Sequence, residues 1–547
     1  MLAKLLPSAE THEVTNQPPP LVDYNLFERD ADLVEAVRRE GAEWANAALI
    51  EFGKLVGSEE AIRWAFEANE NPPVLHTHDR FGNRRDEVKF HPAWHELMRL
   101  SLEHGLHCLP WTEGRPGAHV ARAALLMLAG QNEAGHTCPI SMTYASVPLI
   151  RKQPEIASEW EARVLQPHYD QRFLPATEKL GALIGMAMTE KQGGSDVRTN
   201  TTTAEALGNG EYMLTGHKWF CSAPMCDAFL VLAQAPDGLS CFFLPRWTPD
   251  GEPNWFQLQR LKDKLGNRSN ASGEVEFVGA WARILGPEGR GIATIMEMVN
   301  YTRLDCVLGS AGLMRQAVTQ AIHHARHREA FGRLLVEQPV MQNVLADLYL
   351  ESAAATVLAM RLARAVDRLG GSEQERRFAR LAIPVAKYWI TKRCAAHVGE
   401  ALECLGGNGY VEECCLPRLY REAPVNSIWE GSANVNCLDI LRVLRKEPES
   451  RENFFAEVRL AKGGDRLLDV KVDDLESTLT HDLADCDARR LAESLALALQ
   501  ASLLIRNSPR TVADAFCSSR IGGNWGQAFG TLPGNTDFRR IIDRAWA

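Results

Sequence analysis

Between residues 181 and 285 the chain changes periodicity twice, and this limits the possible fold more than any other feature. Before it, ADLVEAVRREGAEWANAALIEFGKLVG and HVARAALLMLAGQNEAG place apolar residues at three and four spacing, the pattern of helices that bury one face. Within it, YMLTGHKWF, AFLVLAQ, LSCFFLP, WFQLQRL and EVEFVGAW are short, aromatic or β-branched, and separated by Gly, Asp, Pro and Asn turns. Such segments read as strands. There is no internal repeat and no low-complexity tract, so the expectation is a mostly α fold carrying one compact β-barrel insert.

After residue 286 the helical period returns. Val340, Val344 and Leu348 stack at four-residue spacing, and Met341 and Leu345 widen the stripe. Breaks near Gly332, Gly370-Gly371 and Gly406-Gly407 divide this stretch into about four long helices, a bundle. A charged segment follows residue 445, then ARRLAESLALALQASLLIR with Leu491, Leu495, Leu499 and Leu503 on one helical face, then a Gly-rich IGGNWGQAFG. At the other end, Pro18, Pro19 and Pro20 exclude helix and imply an extended arm. The expected organisation is an arm and helical domain over 1–180, a β-barrel domain over 181–285, a four-helix bundle over 286–445 and an additional helical region over 446–547.

A net charge of −10 argues against a surface that clings as a whole to nucleic acid or anionic lipid. The acidity lies upstream: residues 442–547 hold 16 Lys+Arg against 16 Asp+Glu. Thirteen cysteines, scattered and without CxxC pairs, read as the reduced thiols of a cytoplasmic protein. The opening MLAKLLPSAE has too short an apolar stretch for a secretory signal. No apolar run approaches a membrane span, which needs roughly 18 residues. His323 and His327 stand four apart, a spacing that suits zinc, yet no third ligand or general base accompanies them, and no metal is expected.

Five segments carry chemistry. MAMTEKQGGSDV, taken alone, reads as a Gly-Gly-Ser hairpin turn; GHKWFCSAP as a buried strand; HREAFG as a solvated helix end; LGGNGY as a helix-ending glycine turn; and IWEGSANVN as a helix start with a lone acid, Glu430, between Trp429 and Gly431. Together with RLKDKLGNRSNAS, and with the order helices, β domain, bundle, they resemble the acyl-CoA dehydrogenase family. The resemblance is strong over 180–445 and weaker before it. The long arm and the added tail resemble the family's alkylation-response branch.

That resemblance implies FAD. Met186, Met188, Thr189, Gly194 and Ser195 would line the flavin, while Phe220, Cys221 and Ser222 take the place of a Trp-Ile-Thr triplet that covers one face of its ring. Arg328 and Phe331 would reach a flavin bound mainly by another subunit, a task suited to a guanidinium that pairs phosphate oxygens bidentately. Gly406 and Gly407 would offer amides to the same FAD, so a homo-oligomer, the family's tetramer, is implied. Glu430 falls on the catalytic base, with Trp429 as an apolar wall and Ser432 and Asn434 on cofactor-contacting positions. A carboxylate that removes the α-proton of a thioester must have its pKa raised by desolvation. One branch carries its base on the helix that here reads MVNYTRLD, where this chain has Thr302 beside Arg303, leaving Glu430 as the candidate.

The tail is where double-stranded DNA would bind, again by resemblance: Arg442, Arg445, Lys446, Arg506, Arg510, Arg520, Arg539 and Arg540. On charge alone these arginines are solvated side chains. No sequence-reading motif is present, so binding would be sequence-neutral. Two functions stay open: a FAD protein that binds duplex DNA in protection against alkylation damage, with weak isovaleryl-CoA-like dehydrogenase activity, or an ordinary catabolic dehydrogenase of short or branched acyl-CoAs.

Overall fold

The computed structural model describes residues 11–546, so the MLAKLLPSAE segment lies outside the described residues. The arm over 11–30 holds no regular element and lies along the bundle: His323 Nε2 meets the Pro19 carbonyl at 2.8 Å, and the Asn16 side-chain amide donates to Glu329 O at 2.9 Å.

An N-terminal helical layer follows: α1 (Ala31–Arg39), α2 (Asn46–Val56), α3 (Glu59–Glu70), α4 (Pro92–Glu103), α5 (Leu109–Thr112), α6 (Ala118–Asn132), α7 (Thr137–Arg151) and α8 (Pro154–Val164). The caps follow the sequence: Ser58 accepts from Ala61 N and Asp30 from Leu33 N. Helix α6 is buried nearly all round, consistent with its apolar run, and its Arg122 is held inside by Asp305. A hairpin that the periodicity does not announce, β1 (Val74–His78) and β2 (Arg84–Lys89), interrupts this layer. Its turn is set by Asp79, whose carboxylate accepts from the backbone of Phe81 and Asn83.

The β domain contains β3 (Ile184–Ala187), β4 (Thr203–Gly208), β5 (Glu211–Ser222), β6 (Ala228–Ala235), β7 (Gly238–Pro245), β8 (Phe256–Leu261) and β9 (Ser272–Ile284) in one seven-stranded sheet. Strand β7 pairs with both β9 and β6, so the pairings β6, β4, β5, β9, β7 return on themselves. Phe229, Phe242, Phe256 and Phe277 fill the interior.

The bundle is built from α9 (Gly291–His327), α10 (Pro339–Asp367), α11 (Glu373–Glu403), the short α12 (Gly407–Tyr410), α13 (Cys415–Glu422) and α14 (Ala433–Lys446). The breaks fall at the glycines: Gly332, Gly370-Gly371 and Gly406 all lie between helices. Beyond come α15 (Pro448–Arg459), α16 (Arg466–Thr478), α17 (Ala488–Asn507), α18 (Arg510–Phe516) and α19 (Phe538–Ala545). These do not stand apart: α15 and α17 pack on α11, and α19 packs on α10. Arg361 on α10 bridges Glu375 at 2.8 Å and Glu457 at 2.7 Å, and Arg506 completes the network on Glu457 at 2.7 Å. No helix among the described residues is long and apolar enough to cross a membrane.

Candidate active site

Glu430 sits in a turn that the chain must force. Residues Ala423–Ser427 form a 3-10 turn, α14 begins at Ala433, and between them Glu430 adopts φ 59°, a left-handed conformation disfavoured for a residue with a Cβ by roughly 1–2 kcal/mol. Four side chains hold it. Lys387 on α11 donates to the carbonyls of Trp429 at 2.7 Å and Gly431 at 2.5 Å. Arg303 Nε donates to the Glu430 carbonyl at 3.1 Å, and the Asn436 amide donates to Gly431 O at 2.6 Å. Thr302 donates its hydroxyl to Glu430 Oε2 at 2.7 Å.

The electrostatics suit a base. Burial pushes the Glu430 carboxyl above its ordinary value, against the Thr302 hydrogen bond and the charges of Lys387 and Arg303. Trp429 is partly buried, its indole N–H tied to Asn426 Oδ1 at 3.0 Å, so it walls the turn in a fixed orientation. Arg303 is held in turn by Asp439 at 3.1 Å, which also takes Arg380 at 2.8 Å and Arg442 at 3.2 Å.

The β domain approaches the same region. Glu422 on α13 accepts from Asn267 N at 2.6 Å and Asn267 Nδ2 at 2.7 Å, and burial pushes its pKa up to about 7. Cys138, at the start of α7, feels the charges of both Lys264 in the β domain and Glu430 in the bundle turn.

The MTEKQGGSDV loop is anchored by its glutamate. Glu190, fully buried, takes Lys218 Nζ at 2.7 Å, Thr202 Oγ1 at 2.6 Å and Thr201 N at 2.7 Å. With that anchor inside, Gly194 and Ser195 face solvent, while Met186, Met188 and Thr189 are partly covered. Trp219 N donates to Thr189 O at 2.8 Å, which brings this loop against the end of β5. There Phe220 is half-exposed, with the Lys262 ammonium 4.5 Å from its ring centre, and Ser222 is partly exposed. Cys221 is fully buried, so it offers no exposed surface beside Phe220 and Ser222.

Arg328, Phe331, Gly406 and Gly407 form a separate group. Asn16 O accepts from Arg328 Nη1 at 2.5 Å, and the neighbouring Gln17 reaches Asn408 at 3.4 Å, so the arm gathers HREAFG and LGGNGY at one end of the bundle. Phe331 is 99% exposed, and added Cβ atoms at Gly406 and Gly407 would meet nothing within 4 Å. Thr302 and Arg328 lie on the single helix α9 plus its cap, about 39 Å apart at roughly 1.5 Å per residue. One chain therefore cannot offer both groups to the same end of one ligand.

These surfaces fit a flavin. Phe220 and Trp219 present an aromatic face, Thr189, Ser195 and Ser222 present hydroxyls, and the open glycines and the partly exposed Arg328–Phe331 segment leave room for a phosphate-bearing extension. Ser432 caps α14 without a side-chain hydrogen bond, and exposed Asn434 accepts from Arg489 Nε of α17 at 2.8 Å.

The tail arginines divide. Arg442 is 61% exposed, and Lys446, Arg510, Arg539 and Arg540 are also on the surface. Arg445 is exposed but turned onto Leu483 O and Asp485. One expectation is corrected. Arg520 is 0% exposed and paired with Asp347 and Glu351, because a guanidinium inside the bundle must neutralise those two buried carboxylates. Arg506 is drawn inward by Glu457 and Ser502 O. Arg520 cannot reach a phosphate, and the charge of the partly exposed Arg506 is already matched by Glu457. Likewise His323 is occupied by Pro19 O and stacks on Trp546.

Sequence reasoning passes over Lys387, Arg303 and Glu190. Lys387 alone carries a usable signal: it lies in PVAKYWI, where a lysine in an apolar helical run marks a buried cation in need of acceptors.

Comparison with known proteins gives a consistent pattern. Residues 16–171 match the adaptive response protein AidB N-terminal domain, 185–280 the acyl-CoA dehydrogenase middle domain, and 289–445 the acyl-CoA dehydrogenase C-terminal domain. The chain is 49% identical over 513 residues, 93% of its length and 94% of the relative's, to the putative acyl-CoA dehydrogenase AidB of Escherichia coli (strain K12). The crystal structure of Caenorhabditis elegans ACDH-11 in complex with C11-CoA superposes with a TM-score of 0.84 at 27% identity, covering 99% of this chain and 94% of that one. A Bacillus anthracis acyl-CoA dehydrogenase complexed with FAD superposes with a TM-score of 0.65 at 19% identity, covering 79% and 81% of the two chains.

Proposed function

This chain belongs to the acyl-CoA dehydrogenase family, in its AidB branch, with FAD as the cofactor, and we propose that it is a cytoplasmic homotetrameric flavoprotein with two capacities. It oxidises short or branched acyl-CoAs weakly, and it binds duplex DNA without reading sequence in protection against alkylation damage. The observation that carries the dehydrogenase part is the Glu430 turn, a desolvated carboxylate steadied by Thr302 and by a backbone held in a left-handed conformation.

The flavin, when bound, supplies the hydride acceptor. Everything else falls to the chain. Phe220, Ser222, Met188, Thr189 and Ser195 would hold and orient the ring, and Ser432 and Asn434 its extension. Trp429 excludes water from one side of Glu430, which takes the α-proton of the thioester on Oε1 or Oε2. Thr302 stabilises the ionised form before the transfer and loses that role as the carboxyl becomes neutral. Arg328, Phe331, Gly406 and Gly407 would serve the flavin of a neighbouring subunit, because their distance from Thr302 along α9 is too great for their own. The reduced thiols support the cytoplasmic reading: twelve of the thirteen free cysteines are at least partly shielded, and only Cys486 is exposed.

DNA binding rests on the exposed cations Arg442, Lys446, Arg510, Arg539 and Arg540, repeated in each subunit, since counterion release scales with the phosphates met. The test is one sample of the FAD-loaded protein. Retardation of random-sequence duplex should fall steeply with salt, and Arg442→Gln should reduce the slope of log K against log salt by about 1 for each phosphate that loses its cation. Anaerobic mixing with isovaleryl-CoA should bleach the flavin, and Glu430→Gln should abolish the bleaching. No retardation at low salt would sink the DNA part; no bleaching with any acyl-CoA would sink the dehydrogenase part.

A second reading has one observation in its favour. The tail is fused to the bundle through the buried Arg520 and Arg361 networks, as a stabilising element of an ordinary catabolic dehydrogenase would be. Rapid bleaching together with salt-insensitive, negligible DNA binding would select it.

A further inference from the structure

A lysine 1% exposed, with no carboxylate of the described residues within salt-bridge distance, is expensive to keep in a protein interior. Lys387 is such a residue. Its ammonium reaches across to the turn that carries Glu430 and donates to the carbonyl on each side of it, Trp429 O at 2.7 Å and Gly431 O at 2.5 Å. Satisfying those carbonyls does not by itself require a cation, for Gly431 O already receives the neutral amide of Asn436 at 2.6 Å. What a neutral donor lacks is charge. The groups that face Glu430 are Thr302, Arg303, Asp305 and Cys306 from α9, Cys138 from α7 and Lys387 from α11. Asp305 opposes ionisation, Arg303 is shared with Asp439, and Lys387 is engaged by backbone carbonyls instead of a carboxylate.

We propose that Lys387 is a positioning residue for Glu430, clamping the two flanking carbonyls so that the left-handed turn holds and supplying the positive charge against which the carboxylate sits. This rests on the reading of Glu430 as the base. The mutual influence runs both ways: the charge of Lys387 opposes the burial that raises the Glu430 carboxyl, and Glu430 supports an ammonium that burial disfavours.

Three variants separate clamp from charge: Lys387→Met removes both, Lys387→Gln keeps a donor without charge, and Glu430→Gln removes the partner. Two measurements follow on FAD-loaded protein. In the pH profile of flavin bleaching by isovaleryl-CoA, the acid limb should move up by about one pH unit or more in Lys387→Met and in Lys387→Gln, because losing a nearby cation disfavours the ionised base. In thermal melts at pH 8.5, Lys387→Met should lower Tm more in the Glu430 background than in the Glu430→Gln background. An unshifted acid limb, or an equal loss of Tm in both backgrounds, makes Lys387 a mere filler of the core and overturns the proposal. If Lys387→Met does not fold alone, folding of its combination with Glu430→Gln supports the proposal and failure of both overturns it. If wild type bleaches with no acyl-CoA, the dehydrogenase reading falls, and the melts alone decide about Lys387.

Discussion

Thr302→Val isolates one hydrogen bond at the centre of the chemistry. Thr302 is buried, its hydroxyl lies 2.7 Å from Glu430 Oε2, and the same oxygen stands 3.1 Å from Val299 O in the preceding turn of α9. Valine preserves the shape and the branched Cβ, so the helix and the packing change little while the donor disappears. A hydrogen bond to a charged group contributes roughly 1.5–3 kcal/mol. At about 1.36 kcal/mol per pH unit that is roughly 1–2 units in the pKa of Glu430. The direction is upward, since the lost donor favoured the ionised form. The assay is single-turnover flavin bleaching by isovaleryl-CoA from about pH 6 upward, where the acid limb should move to higher pH with the plateau rate far less affected. Stability gives an independent reading. The folded pKa of Glu430 lies above its unfolded value, so the stability it contributes is complete below the unfolded value and is lost as pH rises through the folded one. Thr302→Val raises the folded value further, so it should cost more stability at about pH 8 than at about pH 5. A limb that stays in place or moves down would refute the assignment of Thr302 as the partner of an ionised Glu430.

Arg520→Met should destabilise the protein by about 3–5 kcal/mol, because it leaves Asp347 and Glu351 buried with less compensation, while duplex affinity and its salt slope stay at the wild-type values; a shallower slope in retardation assays would restore Arg520 as a phosphate ligand. Arg328→Gln should weaken FAD retention by roughly ten- to a hundredfold, the worth of a hydrogen bond to a charged group, measured by fluorescence titration of apoprotein, and should leave the acid limb set by Glu430 unmoved.

The fold is largely legible in the sequence because periodicity and breakers agree along most of the chain. The strands of the β domain announce themselves through aromatic and β-branched runs such as AFLVLAQ, and the bundle breaks sit at Gly332, Gly370-Gly371 and Gly406. The β1–β2 hairpin is not legible, for VLHTH and RRDEVK carry too few apolar residues, and only the Asp79 turn that joins them is a local signal. The tail misleads in one respect. Arg506 and Arg520 look like any other basic residue in a sequence of balanced charge, and only the three-dimensional placement of Glu457, Asp347 and Glu351 reveals that they neutralise buried acids. The site divides in the same way. Glu430 stands out by its neighbours Trp429 and Gly431, whereas Lys387 and Arg303 reach its turn from distant helices, through hydrogen bonds that no local pattern encodes.

The identity of residue 302 follows from the same geometry. Thr302 and Glu430 come from distant parts of the chain, yet their side chains meet at 2.7 Å, so position 302 on α9 and position 430 before α14 address one point in space. Two carboxylates at this separation could not both ionise, so a second acid at position 302 would keep one proton between the pair at neutral pH. With Glu430 in place, the neighbour must be small, neutral and able to donate. A hydroxyl on a helix that already buries Arg303 and Asp305 meets all three conditions. On the proposal that Glu430 is the base, a threonine at 302 suits its neighbour, and the cations beside it, Arg303 and Lys387, bear on the backbone of the turn that carries it.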